Sequence, residues 1–264
     1  MSKSSKYILA AGCSFTDPEY KSNQLPWYDT SYPKWPELLR NKIDPNLGLV
    51  NLGCSGGSND YIFTILMKHI LQDPDNIELI VAGWTAIDRA EFFVGGSEQF
   101  QHTTRINLSY ASRSDDQTLR EKYGYSPREM AHYFMYTQKT WKRMIFSWLG
   151  NIYHLQLLAD KFNIPLVHSQ MISPTGGYEW ANASTFFDNF IGLLQKFPNF
   201  YDIDPNRFMG WPVEQNLGGY YIDLFLPPEH RIARSIGDHH PNAEGMENIA
   251  QRYYEWYETW KNMC

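Results

Sequence analysis

Two distant stretches of this sequence carry side chains suited to nucleophilic chemistry. Ser14 directly follows an apolar run, in the segment ILAAGCSFT, and Asp238 and His240 lie in GDHHP near the other end of the chain. A serine hydroxyl is a weak nucleophile until a base takes its proton, and a histidine held by a carboxylate is such a base. The sequence therefore predicts a Ser14–His240–Asp238 triad, provided that the fold brings both ends of the chain together.

These residue types also have structural interpretations. Ser14 could cap a helix, and His240 could hold the last helix through a backbone hydrogen bond, with His239 as the other histidine able to face the serine. Asp-His-His is also compatible with a metal, but no second group of ligands has a convincing spacing, so no metal or other cofactor is expected. Cys13 is an alternative nucleophile and Cys54 could lie near it, although packing accounts for both.

The elements that must position these residues follow from the hydrophobic pattern. Short apolar runs typical of buried strands occur at 7–11, 47–53, 77–84 and 163–170, and 219–226 is either a fifth strand or part of an insertion. Helical patterns begin near Trp35, after Ser58, near 137, at 184–197 and after Asn242. This alternation predicts an α/β fold, a three-layer α/β/α sandwich with a central parallel sheet of the flavodoxin-like kind.

Three loops should meet at one edge of such a sheet, because the carboxyl ends of parallel strands converge there. The loop with Ser14 leaves the first strand, residues 53–57 leave the second, and residues 83–85 leave the third. This edge is therefore the expected place of the triad.

Four short stretches of the sequence, taken in chain order, resemble the motif blocks of the SGNH (GDSL-type) hydrolase superfamily. The first block is usually Gly-Asp-Ser and here reads Gly-Cys-Ser, which implies that Ser14 is the nucleophile. The second, Asn-x-Gly-x-x-Gly, is matched at 51–56 and implies that the Gly56 N–H belongs to an oxyanion hole. The third usually carries Gly-x-Asn-Asp, but here Thr85 stands in place of the oxyanion asparagine. In the last block Asp238 lies two residues before His240 rather than three.

The resemblance implies acyl transfer, with the oxyanion met by the N–H groups of Ser14 and Gly56 and by Thr85 as third donor. If Thr85 does not reach the oxyanion, losing one donor costs about 10²–10³ in rate, so a slowed enzyme is expected. Asn59, near the second block, is a candidate to replace that donor or contact substrate, or to brace the loop.

Other candidate substrate contacts are Trp84 and Arg89. Arg89 could equally form an ion pair with Glu91. Aromatic residues of the expected insertions, such as Trp180 and Trp211, are further candidates for contact with a sugar ring.

Size and composition limit the class of protein. A chain of 264 residues can form one core, and we expect a single domain, 1–264, with insertions at about 92–136 and 173–235. A formal charge of −6 and the lack of a basic cluster argue against nucleic acid. No apolar run reaches membrane-spanning length, the first is too short for a signal peptide, and three cysteines make no disulfide framework. A cytoplasmic or otherwise soluble protein is expected.

The expected function is therefore that of a serine esterase or deacylase acting on an acyl ester, such as an O-acetyl group on a carbohydrate. The alternative is a catalytically weakened SGNH-like glycan-binding or virion structural protein, and an acyltransferase would use the same serine. The run GWTAIDRAEFF also resembles SGNH-like proteins encoded by marine bacteriophages. The ester and the oligomeric state stay open.

Overall fold

A parallel sheet of five strands lies at the centre of the computed structural model, which describes residues 6–93, 103–107, 129, 141–175, 190, 192–198, 200–233 and 237–261. In chain order its strands and helices are β1 (Tyr7–Gly12), α1 (Trp35–Ile43), β2 (Gly48–Asn51), α2 (Asn59–Gln72), β3 (Ile77–Trp84), β4 (Arg89–Phe93), β5 (Thr103–Asn107), α3 (Trp141–Phe162), β6 (Leu166–Gln170), β7 (Phe208–Met209), β8 (Arg231–Ala233), β9 (Asp238–Pro241) and α4 (Ala243–Lys261).

The strand order of the sheet is β2-β1-β3-β6-β7, and every neighbouring pair is parallel. The chain passes from β1 to β2 on one side and then returns to place β3 on the other side of β1. The order of the strands therefore reverses at β1, and a crevice for ligands opens at such a point beyond the carboxyl ends of the strands. Ser14 follows β1 at this edge.

Helices cover both faces of the sheet. In β1 the side chains of Ile8 and Ala10 belong to the core formed with α1 and α4, whereas Leu9 and Ala11 belong to the core formed with α2 and α3. All four side chains are fully buried, which explains why β1 reads as a continuous apolar run rather than an alternating one. The predicted three-layer α/β/α fold is confirmed.

Two helices next to the site begin where the sequence predicts. The Ser58 hydroxyl accepts a hydrogen bond from the Tyr61 N–H at 3.0 Å and caps α2. The Asn242 side chain accepts from the Gly245 N–H at 2.9 Å and caps α4. These caps satisfy N–H groups that the helices themselves leave unpaired, so each helix has a defined start beside a strand end.

The fifth strand of the sheet is β7 at Phe208–Met209. Residues 219–226 belong to no strand, so the interpretation of that run as a fifth strand was wrong. Within it, Ile222–Phe225 form a 3₁₀ turn, as do Pro74–Asn76, Phe200–Asp202, Gln215–Leu217 and Pro228–His230. Because β7 contributes only two residues to the sheet, its sequence carries no detectable strand periodicity.

The expected insertion at 92–136 lies mostly outside the described residues, apart from the antiparallel pair β4–β5 and Glu129. Of the helix expected at 184–197, Phe190 and residues 192–194 are described and helical. Trp180 lies outside the described part. None of the helices described is both long enough and apolar enough to cross a bilayer.

Candidate active site

Ser14 lies in a tight turn at the end of β1. The N–H groups of Thr16 and Asp17 donate to the Cys13 carbonyl at 2.8 and 3.1 Å, so the chain turns as soon as the strand ends. A Cβ atom on Gly12 would lie 2.2 Å from the Thr16 hydroxyl, and only glycine fits before this turn. The turn places Ser14 at the carboxyl edge of the sheet, where the residue is 7% exposed.

Asp238 and His240 lie on β9, immediately before α4. This short strand pairs antiparallel with β8, and the Tyr32 hydroxyl donates to the Pro241 carbonyl at 2.8 Å. Side chains point to alternate faces of a strand, so residues 238 and 240 share a face and His239 points away. His239 is exposed and His240 is partly buried, which answers which histidine faces the serine.

The three predicted triad residues form one chain of hydrogen bonds. His240 Nε2 lies 2.8 Å from Ser14 Oγ, and His240 Nδ1 lies 2.8 Å from Asp238 Oδ1. Burial raises the pKa of Asp238, but hydrogen bonds from His240 and Ser22 outweigh burial and hold that pKa well below its ordinary value. An ionised carboxylate can only accept, so Nδ1 carries the proton and Nε2 is free to accept from Ser14.

Two further side chains, Tyr20 and Ser22, contact Asp238. The Ser22 hydroxyl donates to Asp238 Oδ2. The Tyr20 hydroxyl lies 3.3 Å from the same oxygen and 2.8 Å from His240 Nδ1, and its ring stacks on the imidazole with centroids 4.2 Å apart. Sequence reasoning missed both residues, because they lie in an irregular loop more than 200 positions from Asp238. Only their closeness to Ser14 in the chain could have suggested them.

The second glycine-rich loop packs against the turn that carries Ser14. The Cys54 N–H donates to the Gly12 carbonyl at 3.0 Å, and Asp17 accepts from the N–H and the hydroxyl of Ser55 at 2.8 and 2.5 Å. Gly56 follows with a φ of +75°, a conformation that favours glycine. In the described part of the chain, the N–H groups of Ser14 and Gly56 donate to no backbone carbonyl.

Asn51, which opens this loop, joins it to the Ser14 turn. Its amide donates to the Thr16 carbonyl at 2.9 Å, and its oxygen accepts from the Gly53 N–H at 2.9 Å. A Cβ atom on Gly53 would lie 2.4 Å from the Thr16 carbonyl carbon. The asparagine and the first glycine of the second block are therefore explained by contact between the two loops.

The structure places Thr85 and Asn59 together, but away from the cleft that Ser14 faces. Asn59 Oδ1 accepts from the Thr85 N–H at 2.8 Å, and its amide donates to the Thr85 carbonyl at 3.0 Å. Asn59 is 5% exposed and therefore braces the loop after β3. Thr85 is 0% exposed, and its hydroxyl has no hydrogen-bond partner within the described structure.

Trp84 and Trp211 also lie away from the cleft. Trp84 is fully buried, and its indole N–H donates to His168 Nδ1 at 3.1 Å. Burial, together with Arg207, lowers the pKa of His168 to about 3, so this histidine is a neutral acceptor. Trp211 is only partly buried, but it packs against core aromatic residues.

Arg89, by contrast, lines the cleft that contains Ser14. This cleft has a volume of about 520 Å³, and its described lining combines polar side chains with the Tyr20 ring and contains no aliphatic residue. Its lining residues are Ser14, Asp17, Glu19, Tyr20, Lys21, Asn23, Gln24, Ser55, Gly56, Arg89, Gly237, Asp238 and His240. Within the described ranges Arg89 forms no ion pair, and its Nη1 is buried and has no hydrogen-bond partner there. The side chain of Glu91 lies outside the described part.

No group of three metal-ligating side chains occurs among the residues that the structure describes. Cys13 is fully buried and Cys54 partly buried, and neither forms a disulfide with a residue that the structure describes. Ser14, rather than either thiol, is hydrogen-bonded to the imidazole. The arrangement can activate a serine hydroxyl for attack on a carbonyl carbon.

The chain matches no protein-family model, and no curated protein matches it. Among solved structures it is similar to an alpha/beta hydrolase enzyme from the metagenome of Lake Arreo, Spain, with 12% identity and a TM-score of 0.46 over 95% of this chain and 94% of that chain. An acetylxylan esterase from Geobacillus stearothermophilus is 15% identical, with a TM-score of 0.44 over 97% and 96% of the two chains.

A third solved structure is that of a protein from Desulfitobacterium hafniense DCB-2 named for the lipolytic G-D-S-L family. It is 9% identical, with a TM-score of 0.45 over 95% of this chain and 99% of that chain. The similar structures thus include proteins named for the kind of family that the sequence blocks resemble. At such identities and TM-scores this likeness carries no argument about activity, which has to rest on the site.

Proposed function

We propose that this protein is a serine ester hydrolase of the SGNH type that cleaves an acyl ester through an acyl-enzyme. The observation that carries the proposal is the hydrogen-bonded chain from Ser14 through His240 to Asp238, with both links 2.8 Å long. These three residues come from opposite ends of the sequence and lie at the edge of the sheet where ligands bind in parallel α/β folds.

The reaction follows from the protonation states of this chain of residues. Ser14 Oγ attacks the ester carbonyl carbon while its proton passes to His240 Nε2, and the imidazolium faces Asp238. Collapse of the tetrahedral intermediate breaks the bond to the alcohol oxygen, which takes the proton from Nε2. Water then attacks the acyl-enzyme, again losing a proton to His240, and the carboxylic acid leaves with Ser14 restored.

The negatively charged oxygen of the tetrahedral intermediate, the oxyanion, needs hydrogen-bond donors close to Ser14. We assign this role to the N–H groups of Ser14 and Gly56, which donate to no backbone carbonyl among the described residues. The burial of Thr85 argues against a third donor at that position. Two backbone donors without an asparagine predict a rate about 10²–10³ below that of a site with all three donors.

The lining of the cleft supports a small acyl group on a polar alcohol, such as an acetyl ester of a carbohydrate. A long acyl chain is best stabilised by aliphatic walls that exclude water, and no aliphatic residue lies among the described residues that line this cleft. Arg89 and the side chains of Asn23 and Gln24 offer hydrogen bonds to hydroxyl groups instead.

Acyl-length selectivity tests this proposal. We expect purified protein to hydrolyse p-nitrophenyl acetate and glucose pentaacetate, and to lose activity as the acyl chain lengthens from acetyl to octanoyl. Ser14→Ala and His240→Gln should abolish hydrolysis, whereas His239→Gln, a matched control on the same strand, should not. Preference for the octanoyl ester would contradict the substrate class, and unchanged hydrolysis by Ser14→Ala would contradict the mechanism.

A further inference from the structure

We propose that Tyr20 is a positioning residue of the triad, whose hydroxyl and ring stabilise the positive charge that His240 acquires during acyl transfer. The proposal rests on the ester hydrolase function proposed above. It assigns a role to a residue that none of the sequence blocks contains.

The hydrogen-bond directions around Nδ1 leave one arrangement for the Tyr20 hydroxyl. Asp238 Oδ1 lies 2.8 Å from His240 Nδ1 and can only accept, so the proton is on Nδ1. The Tyr20 oxygen also lies 2.8 Å from Nδ1 and must therefore share that proton as an acceptor. Its own proton points to Asp238, whose Oδ2 is 3.3 Å away. Tyr20 thus accepts from the imidazole and donates to the carboxylate.

This arrangement becomes more favourable when His240 is charged. The Nδ1–H of an imidazolium is a stronger donor than that of the neutral ring, and the Tyr20 oxygen is a second acceptor beside Asp238. The Tyr20 ring stacks on the imidazole at 4.2 Å with an interplanar angle of 27°, so a cation there also faces the π-system. Because the charge exists only after Ser14 gives up its proton, these interactions favour the transition state over the ground state.

Tyr20 is suited to this role because it is fixed and neutral. It is 8% exposed, and burial and the neighbouring Asp238 raise the pKa of its hydroxyl, so it remains a phenol. The Ser22 hydroxyl also donates to Asp238 Oδ2, which limits how the carboxylate can turn. The centroid of the Phe15 ring lies 5.4 Å from that of the His240 imidazole, and this ring adds no hydrogen-bonding group.

The experiment compares Tyr20→Phe with Tyr32→Phe in the full chain. Tyr20→Phe keeps the stacked ring and removes only the hydroxyl. Tyr32→Phe removes the hydroxyl of a partly buried tyrosine that donates to the Pro241 carbonyl on the same strand and forms no hydrogen bond with Ser14, His240 or Asp238 in the described structure. The readouts are kcat and KM for p-nitrophenyl acetate, the rate of Ser14 labelling by a fluorophosphonate, and thermal unfolding.

We expect Tyr20→Phe to lower kcat and the labelling rate about 10- to 100-fold, the range for loss of one hydrogen bond to a charged group. KM should stay within about twofold, because Tyr20→Phe keeps the ring that lines the cleft and the lost hydroxyl acts on the imidazolium. Tyr32→Phe should leave both rates within about twofold. In an Asp238→Asn background, Tyr20→Phe should cost less than in the wild type, because the two groups act on one imidazolium.

The outcomes separate this proposal from the proposed function. If the wild type reacts with the fluorophosphonate and Tyr20→Phe reacts equally fast, the role of Tyr20 is refuted and the esterase is retained. Equal losses in the wild-type and Asp238→Asn backgrounds, or equal losses in Tyr20→Phe and Tyr32→Phe, also refute it. If the wild type neither hydrolyses the ester nor reacts with the fluorophosphonate, the proposed function fails and the role of Tyr20 fails with it.

Discussion

Thr85→Val should leave the chemical step unchanged and make the protein more stable. The Thr85 side chain is 0% exposed, and its hydroxyl has no hydrogen-bond partner among the described residues. An unpartnered buried hydroxyl costs roughly 1–3 kcal/mol, and valine keeps the shape of threonine without it. We therefore expect a gain of about 1 kcal/mol in the free energy of unfolding, seen as a rise of about 2–4 °C in Tm.

The kcat of Thr85→Val shows whether Thr85 is an oxyanion donor. With donors confined to backbone N–H groups, kcat for p-nitrophenyl acetate should stay within about twofold of the wild type, whereas loss of a true donor costs about 10²–10³. Thr85→Ser is the matched control, because it keeps the hydroxyl and loses a buried methyl group. A large fall in kcat for valine, with activity retained by serine, would refute the assignment of the donors.

Three further predictions concern the loops and the carboxylate. Asn59→Ala should lower the free energy of unfolding by about 2 kcal/mol in a denaturant titration, because it leaves the buried Thr85 N–H unpaired, while Gln170 still donates to the Thr85 carbonyl; an unchanged midpoint would contradict this. Asp17→Ala should slow fluorophosphonate labelling about tenfold and Ser55→Ala only about threefold, because the first change removes both hydrogen bonds between Asp17 and the loop that carries Gly56, and the second removes only the one from the Ser55 hydroxyl; the reverse order would refute the anchoring role of Asp17. The low pKa of Asp238 in the folded state stabilises the protein above the unfolded-state value of about 3.9, and this stability is lost as pH falls towards the folded-state value. The free energy of unfolding should therefore fall less steeply below about pH 4 in Asp238→Asn than in the wild type, and equal slopes would contradict the linkage.

Most of the fold and the central residues of the site follow from local sequence pattern. A continuous apolar run predicts the first strand, and the helices after Ser58 and Asn242 each combine an apolar period with a capping residue. The structure has all three elements. The parallel arrangement then predicts that Ser14 and His240 meet, because both lie where strands end beside helices. Ser14 and His240 are indeed in hydrogen-bond contact.

Other features depend on contacts that no local pattern encodes. The fifth strand, β7, has only two residues, while the more apolar run at 219–226 is a 3₁₀ turn with loops on either side. Tyr20 lies in a segment without periodicity, and its link to Asp238 spans 218 positions. In the sequence Trp84 lies where a strand meets a loop and is a candidate substrate contact. In the structure its indole N–H donates to the buried His168 Nδ1, which holds the side chain in the core.

Covalent labelling measured by intact mass shows whether Ser14 is an activated nucleophile. Purified wild-type protein is incubated with a fluorophosphonate and compared with Ser14→Ala and His240→Ala, with circular dichroism confirming that each variant is folded. We expect one adduct on the wild type and none on either variant. A folded wild-type protein that takes up no adduct, or a Ser14→Ala variant that still takes one up, would contradict this expectation.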